Sequence, residues 1–132
     1  MTRCGSCCPQ PVAAVHAAAT VLFSAKKLKV MSRREKIEAM LAEEPGDVFL
    51  RYSLAMELDK EGEHDRSLQL LHELATGNPP YVPAFFMAGQ QLTRLDRIDE
   101  ARDVLTRGIA AAQAAGDAHA AGEMAAFLDT LG

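Results

Sequence analysis

The sequence predicts an all-α fold, a short solenoid of antiparallel helix pairs, on three observations. The first is an internal repeat. Val48–Tyr81 and Val82–Ala115 align at an offset of 34 residues. Leu58 falls opposite Leu92, Lys60 opposite Arg94, Asp65 opposite Asp99, Ser67 opposite Ala101, and Leu70-Leu71 opposite Val104-Leu105. Phe49 is an exception, opposite Pro83. One helix pair cannot bury its apolar face alone, so a period of this length with helical patterning points to stacked pairs sharing a core. The second observation is that no segment alternates apolar and polar with the period of two that a half-buried strand needs. The third is composition. The 132 residues are 48% apolar but only 5% aromatic, with no Trp, which gives one domain whose modest core is built from Leu, Ala, Met and a few Phe.

Residues 1–30 read differently from the rest. The run Val12–Phe23 is apolar but twelve residues long and interrupted by His16, too short for the roughly 20 residues of a spanning helix. Arg3 precedes it as in a signal peptide, yet Phe23 stands where a cleavage site wants a small side chain, so secretion is not expected. Cys4, Cys7 and Cys8 lack the second ligand pair of a structural zinc site, and no strand leads into them as in a thioredoxin-like motif. This stretch is expected to be a disordered or weakly structured leader, or an over-extended start, because Met31 is followed at once by a well-formed helix start. The functional domain is residues 31–132.

Ser32 and Glu35 form a capping-box pattern at the first helix, and Ile37, Met40 and Leu41 give it an apolar face. Pro45-Gly46 ends it and Asp47 caps the next. That second helix, about Val48 to Lys60, buries Phe49 or Leu50, then Leu54, Ala55 and Leu58, and Gly62 closes it. The third starts near Asp65, runs through Leu68, Leu71 and Leu74 to Thr76, and is stopped by Gly77-Asn78-Pro79-Pro80. The fourth begins near Pro83, tolerated in a first turn, and carries Phe85, Phe86, Ala88, Leu92 and Leu95. Gly89 inside it costs about 1 kcal/mol against Ala, which implies a close approach by a neighbouring helix. The fifth runs from Ile98 through Ala101, Val104, Leu105 and Ile109 into an alanine-rich stretch suited to close packing. After Gly116, Asp117 caps a sixth helix with Met124, Phe127, Leu128 and Leu131.

These residues resemble the tetratricopeptide repeat family from Ser32 to the C-terminus. Leu54-Ala55, Leu58, Gly62, Ser67, Leu71, Leu74 and Pro79 match the family's contact pair, turn glycine, small second-helix residue, packing face and exit proline. Ala88-Gly89, Leu92, Ala101 and Leu105 match them again, and Ile98-Asp99-Glu100-Ala101 is especially like the family's second-helix opening. Arg51 stands where the family often has an aromatic, Asp96 replaces the turn glycine, Gly108 stands where Ala is usual, and Gln113 replaces the exit proline. The last change predicts a longer fifth helix. The resemblance implies a right-handed α-solenoid: a half-repeat ending at Pro45, two full repeats, and a C-terminal capping helix.

It also implies a concave groove lined by first-helix residues, here Phe49, Tyr52, Met56 and Lys60, then Phe86, Gln90 and Arg94. Aromatic and Met side chains there suit the apolar anchors of a peptide or helix, and Lys60 with Arg94, in equivalent phase, suits a carboxylate. The opposing reading is that Phe49, Tyr52, Phe86 and Met87 are core. The family's peptide-carboxylate clamp uses Lys, Asn and Arg, and Tyr52 and Met56 stand where it would want Lys and Asn, so a chaperone C-terminus is not the expected ligand.

Charge and chemistry narrow the function further. Residues 1–30 carry four basic residues and no acid, whereas residues 31–132 carry ten basic and eighteen acidic ones, a poor match to nucleic acid. No phosphate loop, nucleophile–base pair or metal signature is present. His64 and His72 lie eight residues apart, about 12 Å along a helix, too far to share a metal, and His119 stands alone. The expectation is therefore a non-catalytic protein-binding module of the cytoplasm, with a peptide or protein partner and no cofactor, metal, membrane or nucleic acid. A homo-oligomeric subunit joined through exposed solenoid ends is the second reading.

Overall fold

The computed structural model describes residues 31–132; residues 1–30, with Cys4, Cys7, Cys8 and His16 and the expected leader, lie outside the described residues. Among these there are six α-helices and no strand: α1 (Arg33–Glu43), α2 (Val48–Lys60), α3 (His64–Ala75), α4 (Val82–Arg94), α5 (Ile98–Ala114) and α6 (Ala118–Thr130). None is long and apolar enough to cross a membrane.

The helix starts follow the sequence closely. Glu35 N–H donates to Ser32 Oγ and Ser32 N–H to the Glu35 carboxylate, both at 3.2 Å. Asp47 Oδ1 accepts from Leu50 N–H at 2.9 Å, and Asp117 Oδ1 from Ala120 N–H at 3.0 Å. Each hairpin turn needs a left-handed residue. In the first it is Gly62 at φ +86°. In the second Asp96 takes the same slot at φ +61°, a conformation that Asp tolerates better than bulkier residues. With Gln113 in place of a proline, α5 has 17 residues against 12 in α3.

Each helix packs on the next, and α4 also touches α6. The main core joins Ala55, Leu71, Leu74 and Ala75 to Ala84, Phe85, Ala88 and Leu105, and then to Ala112, Ala121 and Met124. A smaller cluster, Ile37, Leu54 and Leu58, lies under α1. Leu50 is half-buried, and Phe49, which the sequence offers as a core alternative, is 67% exposed.

Two glycines set how near α5 comes. A Cβ on Gly89 would lie 2.7 Å from the Leu105 side chain, which occupies the space Gly89 leaves. At Gly108 a Cβ would meet Phe85 Cβ at 2.5 Å and Met124 Sδ at 2.7 Å. The expected close approach at Gly89 is thus a Leu105 contact, and a tighter one exists at Gly108.

A polar seam crosses between the hairpins. Ser67, wholly buried, donates to the Ala55 carbonyl at 2.6 Å, and its Oγ is 3.1 Å from Gln91 Oε1. A hydroxyl has one proton, and the shorter contact takes it. Gln91, itself 1% exposed, has its Nε2 3.4 Å from His64 Nδ1, which lies 2.8 Å from Asp59 Oδ1. Gln91 Nε2 also donates to the His64 backbone carbonyl at 3.5 Å, which gives this buried amide of the second hairpin a partner on the first.

Candidate binding groove

Tyr52, Met56 and Lys60 are four residues apart on α2, as are Phe86, Gln90 and Arg94 on α4, so each trio forms a stripe on one helix face. Two hollows lie along these stripes. One, of ≈ 170 Å³, is lined by Tyr52, Val82, Pro83, Phe86, Met87 and Gln90, with Asp117, Ala120, Glu123 and Met124 at its far side. The other, of ≈ 200 Å³, is lined by Ala55, Met56, Asp59, Lys60, Ser67, Met87, Gln90, Gln91 and Arg94. Met87 and Gln90 line both, so the hollows adjoin along α4.

Six of the seven sequence-predicted groove residues are brought together in this way. Phe49 is not: it lines neither hollow. The hollows flank α4, one facing the start of α6 and the other the C-terminal half of α2, so the first turn of α2 borders neither.

The carboxylate-binding role foreseen for Lys60 and Arg94 meets partners already in place. Lys60 Nζ donates to Glu57 Oε1 at 2.9 Å, and Arg94 pairs with Asp59. Both cations are more than half exposed, where such pairs contribute little, but an incoming carboxylate would have to displace them. Tyr52 and Phe86 are half-buried and pack against the main core. The Tyr52 ring meets Tyr81 edge-on at 5.4 Å and Phe86 meets Phe127 at 5.7 Å, an arrangement that holds aromatic rings firmly. Burial, with Tyr81 alongside, pushes the Tyr52 phenol above its ordinary value of 10.0, so it stays a neutral hydrogen-bonding group through the physiological range.

A larger hollow, of ≈ 430 Å³, lies on another face between α3 and α5. Its floor uses Leu71, Phe85 and Leu92, all at most 4% exposed. Its rim includes the ion pairs Arg97–Glu100 and Arg107–Asp103. The hydrogen bond to Arg97 holds Glu100 below its ordinary value of 4.5. Both places have buried floors and paired charges; the groove beside α4 is taken as the candidate because the half-buried Tyr52, Phe86 and Met87 line it. Among the described residues no group of three or more His, Cys, Asp or Glu is placed to hold a metal ion.

Sequence reasoning missed the α6 wall: Asp117, Ala120, Glu123 and Met124. The signal was present, because Ala120 and Met124 follow Phe86 and Gln90 at the same 34-residue offset; the repeat simply has to be carried past Ala115. It also missed Ser67, His64 and Gln91 as one seam, since no local pattern pairs residues 24 or 27 positions apart.

No protein-family model matches the chain, and no curated protein matches it. Solved structures do. The solution structure of a tetratricopeptide repeat domain protein from Salinibacter ruber is 34% identical with a TM-score of 0.62, the match covering 66% of this chain and 88% of that one. A crystal structure of a tetratricopeptide repeat domain protein from the same organism gives 34% and 0.58 over 64% and 94%. The solution structure of a Bordetella parapertussis protein gives 29% and 0.66 over 77% and 89%. With the 34-residue period, the stacked hairpins and a relative of this identity matched over most of its length, the chain belongs to the tetratricopeptide repeat family.

Proposed function

We propose that residues 31–132 form a non-catalytic interaction module of the cytoplasm that captures a segment of another polypeptide in the groove beside α4, with residues 1–30 taking no part. The fold is generally a protein-interaction module. The observation that carries the reading is the pair of adjoining hollows sharing Met87 and Gln90, with the half-buried apolar side chains of Tyr52, Phe86 and Met87 open along them. Rigid aromatics and a pliable Met are suited to holding apolar anchors. The one hydroxyl in the second hollow, Ser67, is engaged with the Ala55 carbonyl, which supports binding over catalysis.

The test is capture by the immobilised full chain, compared with Phe86→Ala and Gln90→Arg. Loss of capture in both, with the far-UV helical signal retained, is the expected result. Phe49→Ala, outside the hollows, should capture as the parent does. Partners held equally by all four proteins would remove the groove from consideration.

A second reading is self-association. Met40, Val48 and Phe49, on the first two helices, are 52%, 42% and 67% exposed, and exposed large apolar side chains favour contact with a copy where they form a patch. Light scattering over a concentration series, with Phe49→Ser as the control, tests it.

A further inference from the structure

We propose that the α6 half of the groove selects a partner segment that is both apolar and basic, and discriminates against acidic ones; this rests on the groove reading above. The two halves of the groove differ in electrical character. Towards α2 the charges are matched within the protein, Arg94 against Asp59 and Lys60 against Glu57. Towards α6 the lining carries Asp117 and Glu123 and no Lys or Arg. Asp117 receives one amide hydrogen bond, from Ala120, which leaves acceptor capacity on its carboxylate. Glu123 is half exposed, with the His119 imidazole 3.3 Å away, itself 86% exposed. The two acids are six residues apart, about 9 Å along the helix.

Phe86 and Met87 supply the apolar wall of this half. A segment placing a bulky apolar side chain against them would bring its neighbours within reach of both acids. Lys or Arg there gains two counter-charges beside an apolar surface, and Asp or Glu meets like charge, the repulsive element on which discrimination depends. The surplus of eight acidic over basic residues in 31–132 adds long-range attraction of the same sign.

The test uses a displayed library of random dodecapeptides selected against the immobilised full chain. Enriched peptides are then titrated by fluorescence anisotropy against the parent, Phe86→Ala, and the double variant Asp117→Asn/Glu123→Gln. Asn caps a helix about as well as Asp, so the double variant removes two charges and keeps the α6 start. Peptides pairing apolar residues with Lys or Arg should be enriched. They should lose about tenfold in affinity to the double variant, as two part-exposed ion pairs imply, and that loss should shrink as salt rises. Peptides that depend on Phe86 but are acidic or neutral, or that bind the double variant equally well, overturn the selectivity and leave the groove standing. If no enriched peptide depends on Phe86, the groove reading falls and the selectivity with it; a groove filled by a second copy or by residues 1–30 of the same chain would give that result.

Discussion

Helix α6 closes one end of the solenoid by burial: Met124 is 1% exposed, Ala121 is buried as well, and Phe127 meets Phe86 edge-on. Helix α1 begins the other end with Ile37 as its one buried residue and with a set of ion pairs beside it. Arg34 reaches Glu38 at 3.0 Å on its own helix, then Glu61 at 2.8 Å and Glu63 at 2.7 Å in the turn between α2 and α3. Arg33 adds Glu57 at 3.4 Å. Apolar burial is not weakened by charge screening and is weakly sensitive to pH, whereas ion pairs depend on both. The difference teaches that one array has an end welded into the core and an end held from the surface, so the α1 end should open first.

The largest expected effect comes from cutting the weld. Met124→Ala removes a side chain that closes both the core and the α6 side of the groove, and should cost a value in the upper part of the ~2–5 kcal/mol range for such truncations. Ile37→Ala, in a cluster of three, belongs near the lower limit of that range, about 2 kcal/mol. Urea midpoints at equal slope measure both. Equal losses would mean that the ends are held alike.

Glycine substitutions sharpen the same contrast within the α6 end. Gly108→Ala puts a methyl group against Phe85 Cβ, which is fixed to the backbone and cannot swing away. Such overpacking costs about 1–3 kcal/mol, which outweighs the ~1 kcal/mol of helix propensity gained. Gly122→Ala, with nothing within 4 Å of the new methyl, should instead stabilise by up to about 1 kcal/mol. Opposite signs in thermal denaturation are the expected outcome, and a stabilising Gly108→Ala would show that α5 has room to move.

Much of this fold is written in local chemistry. Ser32, Asp47 and Asp117 announce three helix starts because capping needs only a side chain three residues from its amide. Asp96 in the slot of Gly62 marks the second turn, and Gln113 in place of Pro79 lengthens α5. The residues that line the two hollows were legible as far as the repeat was followed, giving Tyr52, Met56, Phe86 and Gln90. Part of what escaped depends on tertiary distance. The Ser67–Gln91–His64 seam and the Asp59 carboxylate that pairs with Arg94 are set by how hairpins stack, and helix periodicity does not encode that. The α6 wall needed only the repeat carried past Ala115, and Glu57 stands three residues before Lys60 on the same helix. The resemblance implies Phe49 as a first-helix residue of the groove, but belonging to that helix does not fix how far along it a neighbour still stands, and Phe49 lines neither hollow.

The smallest effect is the most specific to the α1 end. Hydrogen bonds from Arg34, then from Arg66, hold the Glu63 carboxyl below its ordinary value of 4.5. A carboxyl depressed in the folded state binds protons more weakly there than in the unfolded chain. Its contribution is therefore complete above pH 4.5 and is lost as pH falls through the lower folded value. Hydrogen exchange at falling pH should show the α1 amides losing protection before those of α6, once corrected for intrinsic exchange rates. Arg34→Ala leaves Arg66 alone beside Glu63, so the carboxyl should titrate closer to 4.5 and the acid-dependent part of α1 opening should shrink. High salt should mimic the substitution in the parent and change little in the variant. If α1 and α6 open together at every pH, the ion pairs of Arg34 do not hold the α1 end, and Ile37 with Leu54 and Leu58 must carry it alone.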